Sequence, residues 1–222
     1  MCCCTRYVSL QKRDLYHIEN ELSLAISQNF ANQKLYYKDS PMKTQVRKKY
    51  IAIRKGISGK AEKSALIAER LFELDAYKNA RTIAVYKSMA SEVCTDGIIS
   101  RALSEGKTVA LPKTMGSEMN FYAISADESF EKSPFGVLEP VGDEKKYIPP
   151  AALDLIIVPG VAFDRDKNRL GFGKGCYDRF LAGTKARTIS LCFSEQIAEK
   201  GEIPTDEFDI KMQRIITEKE II

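Results

Sequence analysis

An apolar octapeptide, LDLIIVPG at residues 153–160, limits most tightly what this chain can fold into. A run of that length, rich in β-branched residues and stopped by Pro-Gly, reads as a strand buried on both faces. Such strands belong to parallel sheets covered by helices. Further strand-like runs recur along the chain: RTIAVYKS (81–88), TVALPK (108–113), MNFYAI (119–124), RTISLCFS (187–194) and RIITE (214–218). Between them lie helical patterns. KTQVRKKYIAIRKG (43–56) predicts a cationic helix with Val46, Tyr50, Ile51 and Ile53 as its apolar stripe. A second helix is expected from an N-cap at Ser58 through Leu74, and a third from a cap at Thr95 to Gly106. Strands alternating with helices predict a single-domain, three-layer α/β/α sandwich with a mainly parallel sheet. Ligands of such sheets bind beyond the carboxyl ends of the strands.

Beyond the carboxyl end of the 153–160 run lies VAFDRDKNRLGFGKGCYDRF (161–180). Gly171, Gly173 and Gly175 fall at every second position, where a backbone without Cβ atoms can approach a ligand closely. Arg165, Lys167, Arg169 and Lys174 crowd the same stretch, and Asp178 sits where a helix is expected to open. Cations around a glycine-rich loop that leads into a helix predict a phosphate site. The Walker-A pattern is excluded, because Gly175 occupies the place of its magnesium-binding hydroxyl. The dinucleotide fingerprint and the kinase loop both fail at Cys176, where they need a glycine.

Composition removes other classes. With 34 basic against 30 acidic residues, charge is nearly balanced and predicts no nucleic-acid footprint. No run of about 18 apolar residues occurs, so no membrane helix is expected. The N-terminus lacks a signal-peptide core, which leads us to expect a cytoplasmic protein. Cys94, Cys176 and Cys192 are scattered, as free thiols would be, and Cys2, Cys3 and Cys4 read as an incidental tip. The single histidine, His17, leaves no basis for histidine-based nucleophilic or zinc chemistry.

The segment NRLGFGKGCYDRFL (168–181), preceded by VPGVAFD (158–164), resembles the signature of the 5-formyltetrahydrofolate cyclo-ligases, also called 5,10-methenyltetrahydrofolate synthetases. That signature usually reads N-R-L-G-x-G-x-G-Y-Y-D-R. The likeness starts at MKTQVRKKYIAIRKGIS (42–58) and continues through YKSMASEVCTDGIISRALSEGKTVALPK (86–113) and SPFGVLEP (133–140). It ends at IPTDEFDIKMQRIITE (203–218). Residues 1–41 lie outside it and are expected to be either a disordered N-terminal extension or, as we favour, non-native sequence upstream of a start at Met42, so the catalytic domain is placed at 42–222. The family's fold is likewise a three-layer α/β/α sandwich.

The resemblance implies a reaction in which ATP and Mg2+ serve the cyclisation of 5-formyltetrahydrofolate to the 5,10-methenyl compound, through phosphorylation of the formyl oxygen. It implies roles for residues as well. Lys43 and Arg47, four apart on one helix face, would reach the ATP phosphates. Arg169, Leu170, Gly171, Phe172, Gly173, Lys174, Gly175, Cys176 and Tyr177 would line the nucleotide, with Lys174 and Arg169 acting on the transferring phosphoryl group. Residues 172–176 together with Lys87 and Glu92 would contact the folate, and Phe135 would flank the pterin. Asp178 and Asp209 would hold the metal. A monomer is expected. Cys176 replaces the first tyrosine of the usual pair, and Gln213 stands where some members carry an acid. On the residues alone, a sugar-phosphate isomerase using Asp164, Asp166 and Asp178, or a non-catalytic ligand sensor, remains open.

Overall fold

The computed structural model describes residues 40–222 apart from 117, 134 and 135. Expectations that fall on residues 1–39, including His17 and Cys2–Cys4, and on Phe135 therefore lie outside the described residues.

Helix α1 (Pro41–Gly56) starts where the Ser40 side chain accepts from the Lys43 N–H at 3.1 Å and Pro41 presets the first turn. Helix α2 (Lys60–Glu73) follows a left-handed Gly59, not the expected Ser58 cap, and α3 (Asp75–Lys78) is a single turn. Strand β1 (Thr82–Ala84) leads to α4 (Asp96–Ser104). Thr95 stands at the N-cap position of α4 but does not cap it. Its hydroxyl donates instead to the Tyr86 carbonyl at 2.7 Å, fastening the loop between β1 and α4. The hairpin β2 (Thr108–Met115) and β3 (Glu118–Ile124) comes next, then β4 (Phe130–Lys132), β5 (Leu138–Pro140) and β6 (Tyr147–Ile148). The buried run forms β7 (Leu155–Val158). After it come β8 (Ala162–Phe163), β9 (Arg169–Leu170), α5 (Cys176–Ala182), β10 (Arg187–Leu191) and β11 (Arg214–Ile216).

Seven strands form one sheet in the order β11-β10-β7-β1-β2-β3-β6. The first five are mutually parallel; β3 is antiparallel to β2, and β6 is antiparallel to β3. The sheet is thus mainly parallel, as expected. Alternation sorts the side chains of β7: Leu155 and Ile157 enter a core with Ile67 and Leu71 of α2 and Ile98 of α4, whereas Ile156 and Val158 join Phe121 and Leu181 of α5 on the opposite face. This is the α/β/α layering read from the sequence.

Two departures shape the site. The glycine segment does not follow β7 directly, because β8 and β9 first form an antiparallel hairpin with residues 164–168 at its tip. Asp164 shapes that tip by accepting from the Asn168 backbone at 2.9 Å and its side-chain amide at 2.7 Å. Arg165 and Lys167 are therefore carried away from the loop, Arg165 onto Glu220 at 2.7 Å and Lys167 onto the Gln213 carbonyl at 3.0 Å. The second departure is in α1. Its buried residues are Lys43, Arg47, Tyr50 and Arg54, spaced four, three and four apart along one face, while Val46, Ile51 and Ile53 are only partly covered.

Candidate active site

The glycine segment joins β9 to α5 through backbone that needs glycine, with φ of 90° at Gly173 and 62° at Gly175. At Gly171 the need is space, since a Cβ there would lie 2.8 Å from Arg169 Nη1. Lys174 and Phe172 are exposed on this loop. Arg179 steadies it from the next turn by donating to the Lys174 carbonyl at 2.8 Å. Cys176 is half-buried, with Arg179 Nη2 3.7 Å from its sulfur.

The buried face of α1 is turned onto this loop. Arg47 Nε donates to the Gly171 carbonyl at 2.7 Å. Lys43 Nζ sits between two carboxylates, 2.7 Å from Asp206 and 2.6 Å from Asp209. Burial works against the Lys43 charge, but those two acids outweigh it and raise its pKa. Lys43 and Arg47 are thus buried against the loop and its neighbouring acids, whereas Lys48 and Lys49 stay exposed.

Arg169 leaves β9 almost wholly buried. Its Nη2 donates to Asp178 Oδ1 at 2.7 Å and its Nη1 to the Pro159 carbonyl at 3.3 Å. The same Asp178 oxygen accepts from the Ile210 N–H at 3.3 Å, which brings the segment after Asp209 onto the start of α5. The two aspartates read as metal ligands therefore lie on adjoining segments.

Glu92 is 8 % exposed at the loop after β1. Burial pushes its carboxyl pKa up, while the Met89 N–H at 2.9 Å and Arg54 pull the other way. Lys87, on the same loop, pairs with Asp96 at 2.6 Å and stands 5.7 Å from the Phe130 ring centre. Gln213 is committed to the sheet, accepting from the Thr188 N–H at 3.3 Å.

The sequence reading missed Arg54, which approaches Glu92 at 3.4 Å and the Gly160 carbonyl at 3.3 Å. It also missed Asp206 as a partner of Lys43. Helical spacing from Arg47 to Arg54 was the available signal, but it is the signal of any basic helix. Three buried polar atoms of the site, Arg54 Nε, Arg169 Nε and the Tyr177 hydroxyl, have no hydrogen-bond partner. Unsatisfied groups gathered in one place are what a polar ligand or water completes.

Among the described residues, no group of three or more His, Cys, Asp or Glu side chains could hold a metal alone. Magnesium does not require one, since one or two carboxylates with phosphate oxygens and waters suffice. The hard-oxygen pair Asp178 and Asp209 fits that requirement in donor type and number.

The family model for the 5-formyltetrahydrofolate cyclo-ligase family matches residues 39–218, a span that contains every group just described. The chain belongs to that family. As a member it is an enzyme, and the family resemblance read from its motifs holds over that span. A probable 5-formyltetrahydrofolate cyclo-ligase of Schizosaccharomyces pombe is 34% identical over 174 residues, 72% of this chain and 85% of that protein. The 5-formyltetrahydrofolate cyclo-ligase of Haemophilus influenzae is 27% identical and covers 81% of this chain and 97% of its own. Among solved structures, the 5,10-methenyltetrahydrofolate synthetase of Aquifex aeolicus superposes with a TM-score of 0.71 at 33% identity, over 81% of this chain and 91% of that one. No described helix is long and apolar enough to cross a membrane.

Proposed function

We propose that this enzyme closes 5-formyltetrahydrofolate to 5,10-methenyltetrahydrofolate, using ATP and releasing ADP and phosphate. An amide oxygen is a poor leaving group. The formyl oxygen therefore attacks the γ-phosphorus and ADP departs; N10 then attacks the activated carbon and gives up its proton to solvent, and phosphate leaves with that oxygen as the ring closes. Such a reaction asks for positioning and charge stabilisation, and needs no protein nucleophile. One observation carries the reading. Lys43 and Arg47 of α1, the glycine loop with Arg169, and the Asp178–Asp209 pair meet in one cluster although Lys43 and Asp209 stand 166 positions apart.

In this reading Lys43 and Arg47 hold the ATP phosphates, and residues 169–177 line the nucleotide. Lys174 and Arg169 meet the charge that develops on the phosphoryl group, where a fixed donor lowers the barrier most. Glu92 accepts paired hydrogen bonds from the amino-pyrimidinone edge of the pterin, with Lys87 and residues 172–176 completing the folate contacts. Magnesium, when bound, would neutralise phosphate charge, held by Asp178 and Asp209. We assign the domain to residues 42–222, with 1–41 as an extension, and expect a cytoplasmic monomer.

Of the three acids offered to the isomerase alternative, Asp164 is buried with both its oxygens bound to Asn168, and Asp178 is paired with Arg169. The test is to mix the protein with 5-formyltetrahydrofolate, ATP and magnesium, and follow the near-ultraviolet band of the methenyl product. The expected result is growth of the band only with both ATP and magnesium present. No band from folded protein that binds ATP would overturn the reading.

A further inference from the structure

Arg54 is not among the residues that the family resemblance brings to the site, and its surroundings are unlike those of the other helix-end bases. It occupies the last turn of α1 and is 3 % exposed, whereas the adjacent Lys55 is open to solvent. Three separate segments converge on its guanidinium. Nη1 lies 3.4 Å from Glu92 Oε1, on the loop after β1, and 3.3 Å from the Gly160 carbonyl, beyond β7. The Phe172 ring, on the glycine loop, lies 5.3 Å from its Cζ, within range of cation–π attraction. Phe172 is itself 45 % exposed, so this contact is not the burial of a core ring.

We propose that Arg54 is the positioning residue of the folate end of the site, aiming the Glu92 carboxylate and anchoring Phe172 so that the glycine loop and the acid present one surface. This rests on the reading of Glu92 as the pterin contact. The physical need is plain. A carboxylate this deeply buried loses its charge unless a cation stands beside it, and a protonated acid cannot accept two hydrogen bonds from one pterin edge. Burial already raises the Glu92 pKa, and Arg54 is the cation that opposes the rise. The other titratable groups facing this pair are Tyr86 and Tyr177, with Arg169 beyond Tyr177. Burial drives both tyrosine pKa values far upward, so they stay neutral from pH 6 to 9. Arg54 is thus the cation that, together with the Met89 N–H, favours the ionised form of Glu92. The Met89 N–H holds Oε2 from the opposite side, which leaves Oε1 as the oxygen Arg54 orients.

The test compares wild-type protein with Arg54→Met, Arg54→Lys and Phe172→Ala, measuring KM for 5-formyltetrahydrofolate, KM for ATP, and kcat between pH 6 and 9. Arg54→Met should raise the folate KM at least tenfold near pH 6, and the excess should shrink as pH rises and Glu92 ionises. KM for ATP should change less than threefold. Arg54→Lys should restore most of the folate KM, since it returns the charge beside Glu92 although not the planar stack. Phe172→Ala should raise the folate KM severalfold without the pH dependence. Should Arg54→Met fail to fold, the double variant Arg54→Met/Glu92→Gln removes both charges; it should fold and should show an elevated folate KM that does not vary with pH. A folate KM in Arg54→Met equal to wild type, or one raised equally at every pH, overturns the inference. Wild-type protein that neither binds nor converts the folate refutes the function itself, an outcome distinct from failure of the Arg54 role.

Discussion

Replacing Asp178 with asparagine separates its structural role from the metal-binding role proposed for it. Asp178 Oδ1 holds the Arg169 guanidinium at 2.7 Å, with 3 % of the Arg169 and 13 % of the Asp178 side chain exposed. Removing one charge from so buried a pair costs about 3–5 kcal/mol, because the other is left uncompensated. Asparagine keeps an oxygen able to accept from Arg169 or the Ile210 N–H, so the expected loss falls below that range, at about 2–3 kcal/mol. For a domain of this size that is a fall in Tm of roughly 5–10 °C. Calorimetry without added nucleotide or metal reads it directly. Arg169→Met/Asp178→Asn, which removes both charges, should recover at least half of the lost stability. Both variants should be inactive. A Tm for Asp178→Asn within about 1 °C of wild type would refute the argument, since the buried pair would then contribute nothing.

Lys174→Ala should lower turnover by about a hundredfold or more, as loss of a fixed transition-state donor does. Its exposure predicts a stability change within about 0.5 kcal/mol, so circular dichroism and Tm should match wild type. Gly160→Ala would place a Cβ 2.3 Å from Phe163 Cζ, in a ring with no exposed surface. The overpacking should destabilise by about 1–3 kcal/mol or more, read by urea unfolding. Glu202 binds Lys49 and the Tyr50 hydroxyl, and the Lys49 contact leads the effects that hold its carboxyl below the ordinary 4.5. Its contribution is therefore present above pH 4.5 and lost as pH falls through the lowered value. The stability difference from Glu202→Gln, about 1 kcal/mol or less, should be constant at neutral pH and vanish in acid.

The sheet was legible wherever a strand carried its own pattern. Residues 155–158 are apolar at every position because both faces are covered, and any parallel central strand must read so. The β8–β9 hairpin was not legible, because its strands are two residues each and its tip is rich in charge. Asp164 and Asn168 bracket that tip, but the basic residues between them point as readily to an anion site. In α1 the periodic apolar residues suggested one face and the packed helix shows another. Burying Lys43, Arg47 and Arg54 is possible only with acids and carbonyls at positions 92, 160, 171, 206 and 209, which no local window contains. The glycine loop and its flanking aspartate were readable as a motif; the pairing of each cation with a particular acid was not.

That pairing bears on how the site works. Lys43 faces Asp209, Arg169 faces Asp178, and Arg54 faces Glu92. Cations gathered to meet a triphosphate repel one another, and each would be costly to bury alone. An acid beside each one removes that cost. On the proposed reading, two of those acids are also the metal ligands. On that reading the nucleotide phosphates would compete with these acids for Lys43 and Arg169, and Asp178 and Asp209 would supply hard oxygens to magnesium. Arg54 and Glu92 would on the same reading meet the folate rather than a phosphate, so loss of Arg54 should be felt in folate recognition at low pH while nucleotide affinity is spared.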